Sequence, residues 1–162
     1  MPATPITESV RYYRRGVSRV LWVPTIANRQ SPTRVELDAG TALELEVGEV
    51  DGWQVTSETV EAPALGTRFN AKVAGPISAD DSSLTMYASQ DGEDVRTLLP
   101  RSTSGFIVWM DEGDVPTQTM DVFPVTVMQQ SKPRGLDALG MIQVQFAITR
   151  EPAENVTIPA AT

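Results

Sequence analysis

The chain contains no cysteine and no histidine, and only two lysines, Lys72 and Lys132. Without cysteine there is no disulfide, no thiolate nucleophile and no zinc–thiolate site. Without histidine the commonest general base and the commonest transition-metal ligand are missing. Serine–histidine and cysteine–histidine catalysis are therefore excluded. Long apolar runs are also lacking: the longest, Phe106 to Met110, has five residues. A membrane span needs roughly 20. The N-terminal segment carries Glu8 and several arginines with no apolar signal core. The expectation is a soluble protein made in the cytoplasm.

What is present fits one domain. At 162 residues the chain can bury roughly 70% of the surface exposed when unfolded, so it needs neither metal nor disulfide to fold. The formal net charge is −8, and a free acidic surface repels nucleic acid. The charge is unevenly spread. Residues 1–34 hold six arginines against one acid, Glu8, while the remainder holds seven basic and twenty acidic residues. A basic end on an acidic body suggests attraction between copies. Residues 1–16 read as an extended arm, with Pro5 and polar neighbours breaking any core pattern. Within it, Arg11, Tyr12, Tyr13, Arg14 and Arg15 form an aromatic–cationic cluster. On an acidic protein such a cluster anchors protein surfaces better than bases.

Residues 17–151 read as a β domain. Val17–Val23 is a first strand closed by Pro24, and 28–33 is a loop. Leu43, Leu45 and Val47 alternate with Glu44 and Glu46, the period of a half-buried strand. Gly48–Gly52 reads as a turn and 53–60 as a strand. Arg68–Val73 alternates again, and Gly75–Pro76 reads as a further turn. Ser83–Ser89 is a strand. Asp91 caps a short helix with Val95, Leu98 and Leu99 on one face, stopped by Pro100. Residues 105–110, 120–129 and 141–149 complete the strands, with Pro124 implying an edge or a bulge. Residues 152–162 read as a Pro/Ala/Thr tail. About seven strands and one flanking helix predict a β-sandwich or split barrel.

No constellation supports catalysis. The acids of 91–94 and 111–114 cluster around Gly92 and Gly113, but neither run has calcium-loop spacing. Nothing fixes a pair of carboxylates across a cleft, and no GxGxxG, GxxxxGK[ST] or GxSxG occurs. Caps and solvated turns account for these acids. No enzyme, cofactor or metal is expected.

The succession of segments resembles the major tail tube proteins of long-tailed, siphovirus-type phages and prophages of actinobacteria. The phrases that carry it run from VPTIAN and SPTRVELDAGTALE through DGWQVTSETVEAPALGTRFNAKVAG. SSLTMYAS, DGEDVRTLL, GFIVWMDEGD, MDVFPVTVMQQSKPRG and MIQVQFAITREPAENVTIPA follow. The resemblance implies a β-sandwich with a flanking helix, joined as hexameric rings that stack into a tube. Strands of all subunits would line a lumen through which DNA passes without specific binding. It also implies tail-tip, tape-measure and terminator proteins as partners, and a place in the virion tail after assembly in the host cytoplasm.

On this reading segments 53–61 and 67–73 are the inner-barrel candidates. Glu58, Glu61, Asp80 and Asp81 are the lumen-facing candidates, and Arg11–Arg15, Arg68 and Lys72 the contacts between subunits or rings. Arg68 and Lys72 lie on the polar side of the same hairpin. Either they pair with Glu58 and Glu61, or that face is not the lumen wall. Two alternatives stay open: the inner tube of a contractile injection device, and a ligand- or receptor-binding β-sandwich of a virion.

Overall fold

The computed structural model describes residues 3–161. Ten strands and two short helices follow in the order β1 Arg19–Val23, α1 Arg34–Asp38, β2 Thr41–Ala42, β3 Val47–Asp51, β4 Val55–Ala62, β5 Ala71–Ala79, β6 Ser82–Tyr87, α2 Val95–Leu98, β7 Ser104–Met110, β8 Thr119–Ser131, β9 Met141–Ile148 and β10 Ala153–Thr157. Eight strands make one antiparallel sheet, ordered β2-β1-β7-β8-β9-β6-β3, with β10 also on β8. β4 and β5 pair only with each other. The expected mainly β class is what the chain adopts; the sheet bends but closes no barrel.

β8 organises the body. Its first half pairs with β7 on one side and with β10 on the other, and its second half pairs with β9. Side chains alternate across a strand, so β1, β7 and β8 feed two separate cores. Val20, Trp22, Ile107, Phe123, Val125 and Val127 enter the larger, which the β9–β6 part of the sheet closes with Ile142, Val144, Phe146, Leu84 and Met86. Val23, Val108, Met110, Met120 and Val122 enter the second, covered by Leu37 of α1, by Ala153 and Val156 of β10, and by Ile158. Burying each large apolar side chain contributes roughly 1.5–3 kcal/mol. Gly105 faces the Trp22 ring so closely that a β-carbon there would overlap it.

Pro124 lies within β8 opposite Phe106 of β7. Its carbonyl accepts from the Thr149 backbone N–H at 3.0 Å, so its missing N–H faces the side where β10 gives way to β9. No ladder bond is lost there, which is how a proline sits in a central strand. An extra residue near Met128, between Val127 and Gln129, then kinks β8 and bends the sheet.

Several expectations change. Leu43–Val47 is not a strand: the Glu46 and Val47 N–H groups both return to the Leu43 carbonyl, leaving Leu43 buried and Leu45 90% exposed. Of the supposed turn at 48–52, residues 48–51 belong to β3 and only Gly52 lies beyond it, in a left-handed conformation. Gly75 and Pro76 do not end a strand but form a bulge inside β5, opposite Glu58. Residues 153–157, expected within a tail, add β10 to the sheet. Its alternation slips at a bulge around Asn155, whose φ is 56° and whose N–H donates to Asp121. The short α1 was not anticipated, although Pro32 and the Thr33–Glu36 capping box announce it.

The helix near residue 95 is a single turn capped by Asp94, not Asp91. Val95 and Leu99 are buried, whereas Leu98 only borders the core. Leu99→Asp places a carboxylate in a fully buried site and is expected to abolish the cooperative thermal transition. Leu98→Asp, at the rim, is expected to lower the midpoint without abolishing it. Equal midpoints for the two variants would show that the helix packs differently.

Candidate assembly surface

The β4–β5 ribbon stands apart from both cores. Its eight and nine residues pair through a register running from Val55↔Ala79 to Ala62↔Ala71. Each strand's outer edge carries no strand partner. Val60, Val73 and Ile77 are 50%, 53% and 60% exposed, and Leu65 and Phe69 stand out near the tip. A lone two-stranded ribbon of this kind is marginal in water, and its free edges are templates for further pairing.

The register distributes the candidate residues. The bulge lies on β5, so alternation along β4 is unbroken and Glu58 and Glu61, three apart, point to opposite faces. Glu61 sits directly across from Lys72, on the face of Ser57, Thr59 and Ile77. Glu58 shares the other face with Thr56, Val60, Val73 and Ser78. Arg68 lies in the loop joining the strands, outside β5. Asp80 and Asp81 are exposed at the ribbon's base, where the Asp80 carbonyl accepts from the Ser82 hydroxyl at 3.1 Å. Val55, Ile77, Ser78 and Ala79 line a hollow of about 380 Å³ against Ile148–Pro152. At this base Val55, Ile77 and Ala79 come from the Glu61–Lys72 face and Ser78 from the other, while Glu61 and Lys72 themselves are exposed farther along the ribbon.

The arm is tied down where it enters the body. Residues 3–13 are exposed and without regular structure. Arg14 forms an ion pair with Asp111, and the Ser18 hydroxyl donates to the Asp111 carbonyl at 2.7 Å. Tyr12 stays largely exposed, but slight shielding from water, with Asp111 and Glu112 close by, pushes its phenol above the ordinary value. Arg11 reaches only Glu8, at 3.3 Å and in full contact with solvent, and such a pair contributes little. Tyr13 and Arg15 remain exposed.

Arg34 grips Asp114 in a two-bond fork of 2.7 and 2.6 Å and holds Asp38 at 2.8 Å. This raises the guanidinium and holds the Asp114 carboxyl below the ordinary aspartate value, the Arg34 bonds being the main cause. Backbone N–H groups of Ala27 and Thr33 hold Glu36 down likewise. The turn at 111–114 is therefore a clamp on the N-terminal segment. Part of the basic end meets part of the acidic body inside one subunit. Among the described residues no group of three acidic side chains is placed to hold a metal ion, and no helix is long and apolar enough to cross a membrane.

Body and ribbon together define a mainly β protein with an unpartnered strand pair. A family profile described as phage tail tube protein matches residues 6–161. The chain belongs to the phage tail tube protein family. No curated protein matches the sequence. Among solved structures, it is similar to a chain in the six-fold symmetrised baseplate of the anti-feeding prophage. The TM-score is 0.56 at 12% identity, over 90% of this chain and 95% of that one. A chain from the sheath/tube terminator structure of an extracellular contractile injection system, PVC, gives 0.58 at 10% identity, over 90% and 96%. One from the anti-feeding prophage tube-terminating cap gives 0.56 at 14%, over 99% and 100%. At such identities these likenesses establish a common fold.

Asp114 makes a charge-assisted pair that is mostly shielded from solvent. A carboxyl held below its unfolded value stabilises fully above that value, and the stabilisation fades as pH falls through the lower folded value. Asp114→Asn is expected to cost about 1.5–3 kcal/mol at neutral pH. The loss should begin to shrink below about pH 4, where the unfolded carboxyl gains its proton, and shrink further as the native one does at lower pH. Urea titrations at pH 7 and pH 3 measure both; an equal loss at the two values would contradict the assignment.

Proposed function

We propose that this chain is the repeating structural subunit of a phage tail tube, in which copies pair through the β4–β5 ribbon to close rings that stack around a lumen. The observation that carries the reading is the ribbon itself: two long strands with unpaired outer edges and exposed valine and isoleucine. Pairing with ribbons of neighbouring copies satisfies every edge at once, and a closed ring leaves none for uncontrolled growth. Membership of the tail tube family supports this job. A ring of six follows the six-fold symmetry stated for the similar baseplate structure. The exposed arm, with Tyr13 and Arg15 on its free side, is suited to contact the next ring. Tail-tip, tape-measure and terminator proteins are the further partners, in a tail assembled in the host cytoplasm.

Negative-stain electron microscopy across a concentration series tests the assembly. Hollow tubes or stacked rings of uniform diameter are expected. A monomer that persists to millimolar concentration with its ribbon folded would instead favour the binding-module reading. The contractile-device alternative shares the tube and differs in having a sheath. The similar terminator and cap structures keep it in view, and co-purification with a sheath protein separates the two.

We assign the lumen wall to the Glu58 face. Val55, Ile77 and Ala79 of the Glu61–Lys72 face line the hollow against the body at the ribbon's base, which supports placing the Glu58 face on the side away from it. Asp80 and Asp81 lie at the wall's rim. An acidic wall repels phosphate and lets DNA slide, whereas a basic wall holds it by counterion release. Assembled Glu58→Lys tubes are expected to retain DNA at low salt and release it as salt rises. Glu61→Lys tubes should behave as wild type. Retention by the Glu61 variant alone would reverse the face assignment.

A further inference from the structure

The chain leaves the body for the ribbon at Gly52–Trp53 and returns at Asp80–Asp81, and one side chain touches both crossings. Ser82 is wholly buried. Its hydroxyl accepts from the Trp53 backbone N–H at 2.9 Å and donates to the Asp80 carbonyl at 3.1 Å. A hydroxyl has one proton and two lone pairs, so both bonds can form together. Gly52 and Trp53 are consecutive left-handed residues, with φ of 81° and 62°. For a bulky side chain such as Trp53 this is a true outlier, and it persists only where the surroundings hold it.

The surroundings hold Trp53 firmly. Its indole N–H donates to the Ser83 carbonyl at 3.1 Å. Its ring lies against Trp109, Phe123 and Phe146 at centroid distances of 5.8, 5.4 and 5.5 Å, edge-on to Phe123. A β-carbon on Gly52 would meet the Ser82 hydroxyl at 2.7 Å and its Cα at 2.9 Å. Strained backbone, buried hydroxyl and aromatic anchor converge on the one place where the ribbon joins the body. Beside this junction a hollow of about 380 Å³ lies between the ribbon's base and Ile148–Pro152.

We infer that Ser82 is a positioning residue: its hydroxyl clasps the outgoing and returning strands and, with the Gly52–Trp53 pair, sets the direction in which the β4–β5 ribbon leaves the body. This rests on the proposed pairing of ribbons between copies, because edges pair only when neighbouring ribbons arrive in line. The ribbon's own ladder is local, so loss of the clasp frees its direction without unfolding it.

The chain has no cysteine, so paired spin labels at Thr67→Cys near the tip and Arg101→Cys on the body report the ribbon's direction without background. With Ser82 present a single narrow distance distribution is expected. Ser82→Ala should broaden it at least twofold while the thermal transition stays cooperative, and tube yield should fall about tenfold or more. An unchanged distribution in Ser82→Ala would overturn the inference. If Ser82→Ala fails to fold, hydrogen exchange on the wild-type chain decides. The Trp53 amide should be protected like the amides of β6, and exchange as fast as at the ribbon tip would overturn the clasp. A broadened distribution with undiminished tube assembly would uphold the clasp and overturn the ribbon's role in pairing copies.

Discussion

The structure depends on β8 serving two cores at once. Its thirteen residues carry Phe123, Val125 and Val127 to one side and Met120 and Val122 to the other. Neither face can be solvated, so both must be covered. One is closed by bending the sheet onto itself through β9 and β6, the other by α1 and β10. Pro124 marks the changeover, where the neighbouring strand switches from β10 to β9 and no donor is required. The clamp of Arg34 on Asp114 belongs to the same arrangement, because it holds α1 over the second core.

What the amino-acid pattern reveals follows from how each segment is buried. The 141–148 strand was legible because Ile142, Val144 and Phe146 face one core and Gln143 and Gln145 do not. The alternation at 43–47 is equally regular and yet means nothing, since a helical turn carries Leu45 into solvent. Periodicity reports burial on a straight strand and fails where the backbone turns. β10 was hidden for the opposite reason: the bulge at Asn155 shifts its phase, so Ala153, Val156 and Ile158 do not alternate even though all are buried. Trp53 was read as opening a strand and not as a left-handed residue, since nothing in its neighbours except Gly52 signals the reversal.

The candidate surface was legible in part. The strand at 53–60 was read from its β-branched residues, and its place in a hairpin with 67–73 came from the resemblance; the second strand lies at Ala71–Ala79. The strand pairing was not legible, because Gly75–Pro76 punctuates a sequence like a turn but forms a bulge when the strand continues past it. The bulge sets which residues of β5 lie across from β4, whereas Glu58 and Glu61 part to opposite faces simply because they are three apart on an unbroken strand. The register sets Lys72 across from Glu61, on that acid's side of the ribbon.

Charge was expected to draw copies together, with a basic end meeting an acidic body. In the folded subunit Arg14 is paired with Asp111 and Arg34 with Asp114 and Asp38, so much of that attraction is satisfied within one chain. Exposed acids remain in excess, and between identical subunits they repel. The association proposed above would then draw on something indifferent to net charge. Unpaired backbone edges and the exposed valines and isoleucine of the ribbon supply it: hydrogen bonds that water alone now satisfies, and apolar area that pairing removes from water. Repulsion between bodies would oppose misaligned contacts as strongly as correct ones, while only an aligned ribbon recovers the edge bonds. In the proposed ring the direction of the ribbon would be the term that separates ordered from irregular association, and the strained, buried junction at Trp53 and Ser82 is where we infer that it is set.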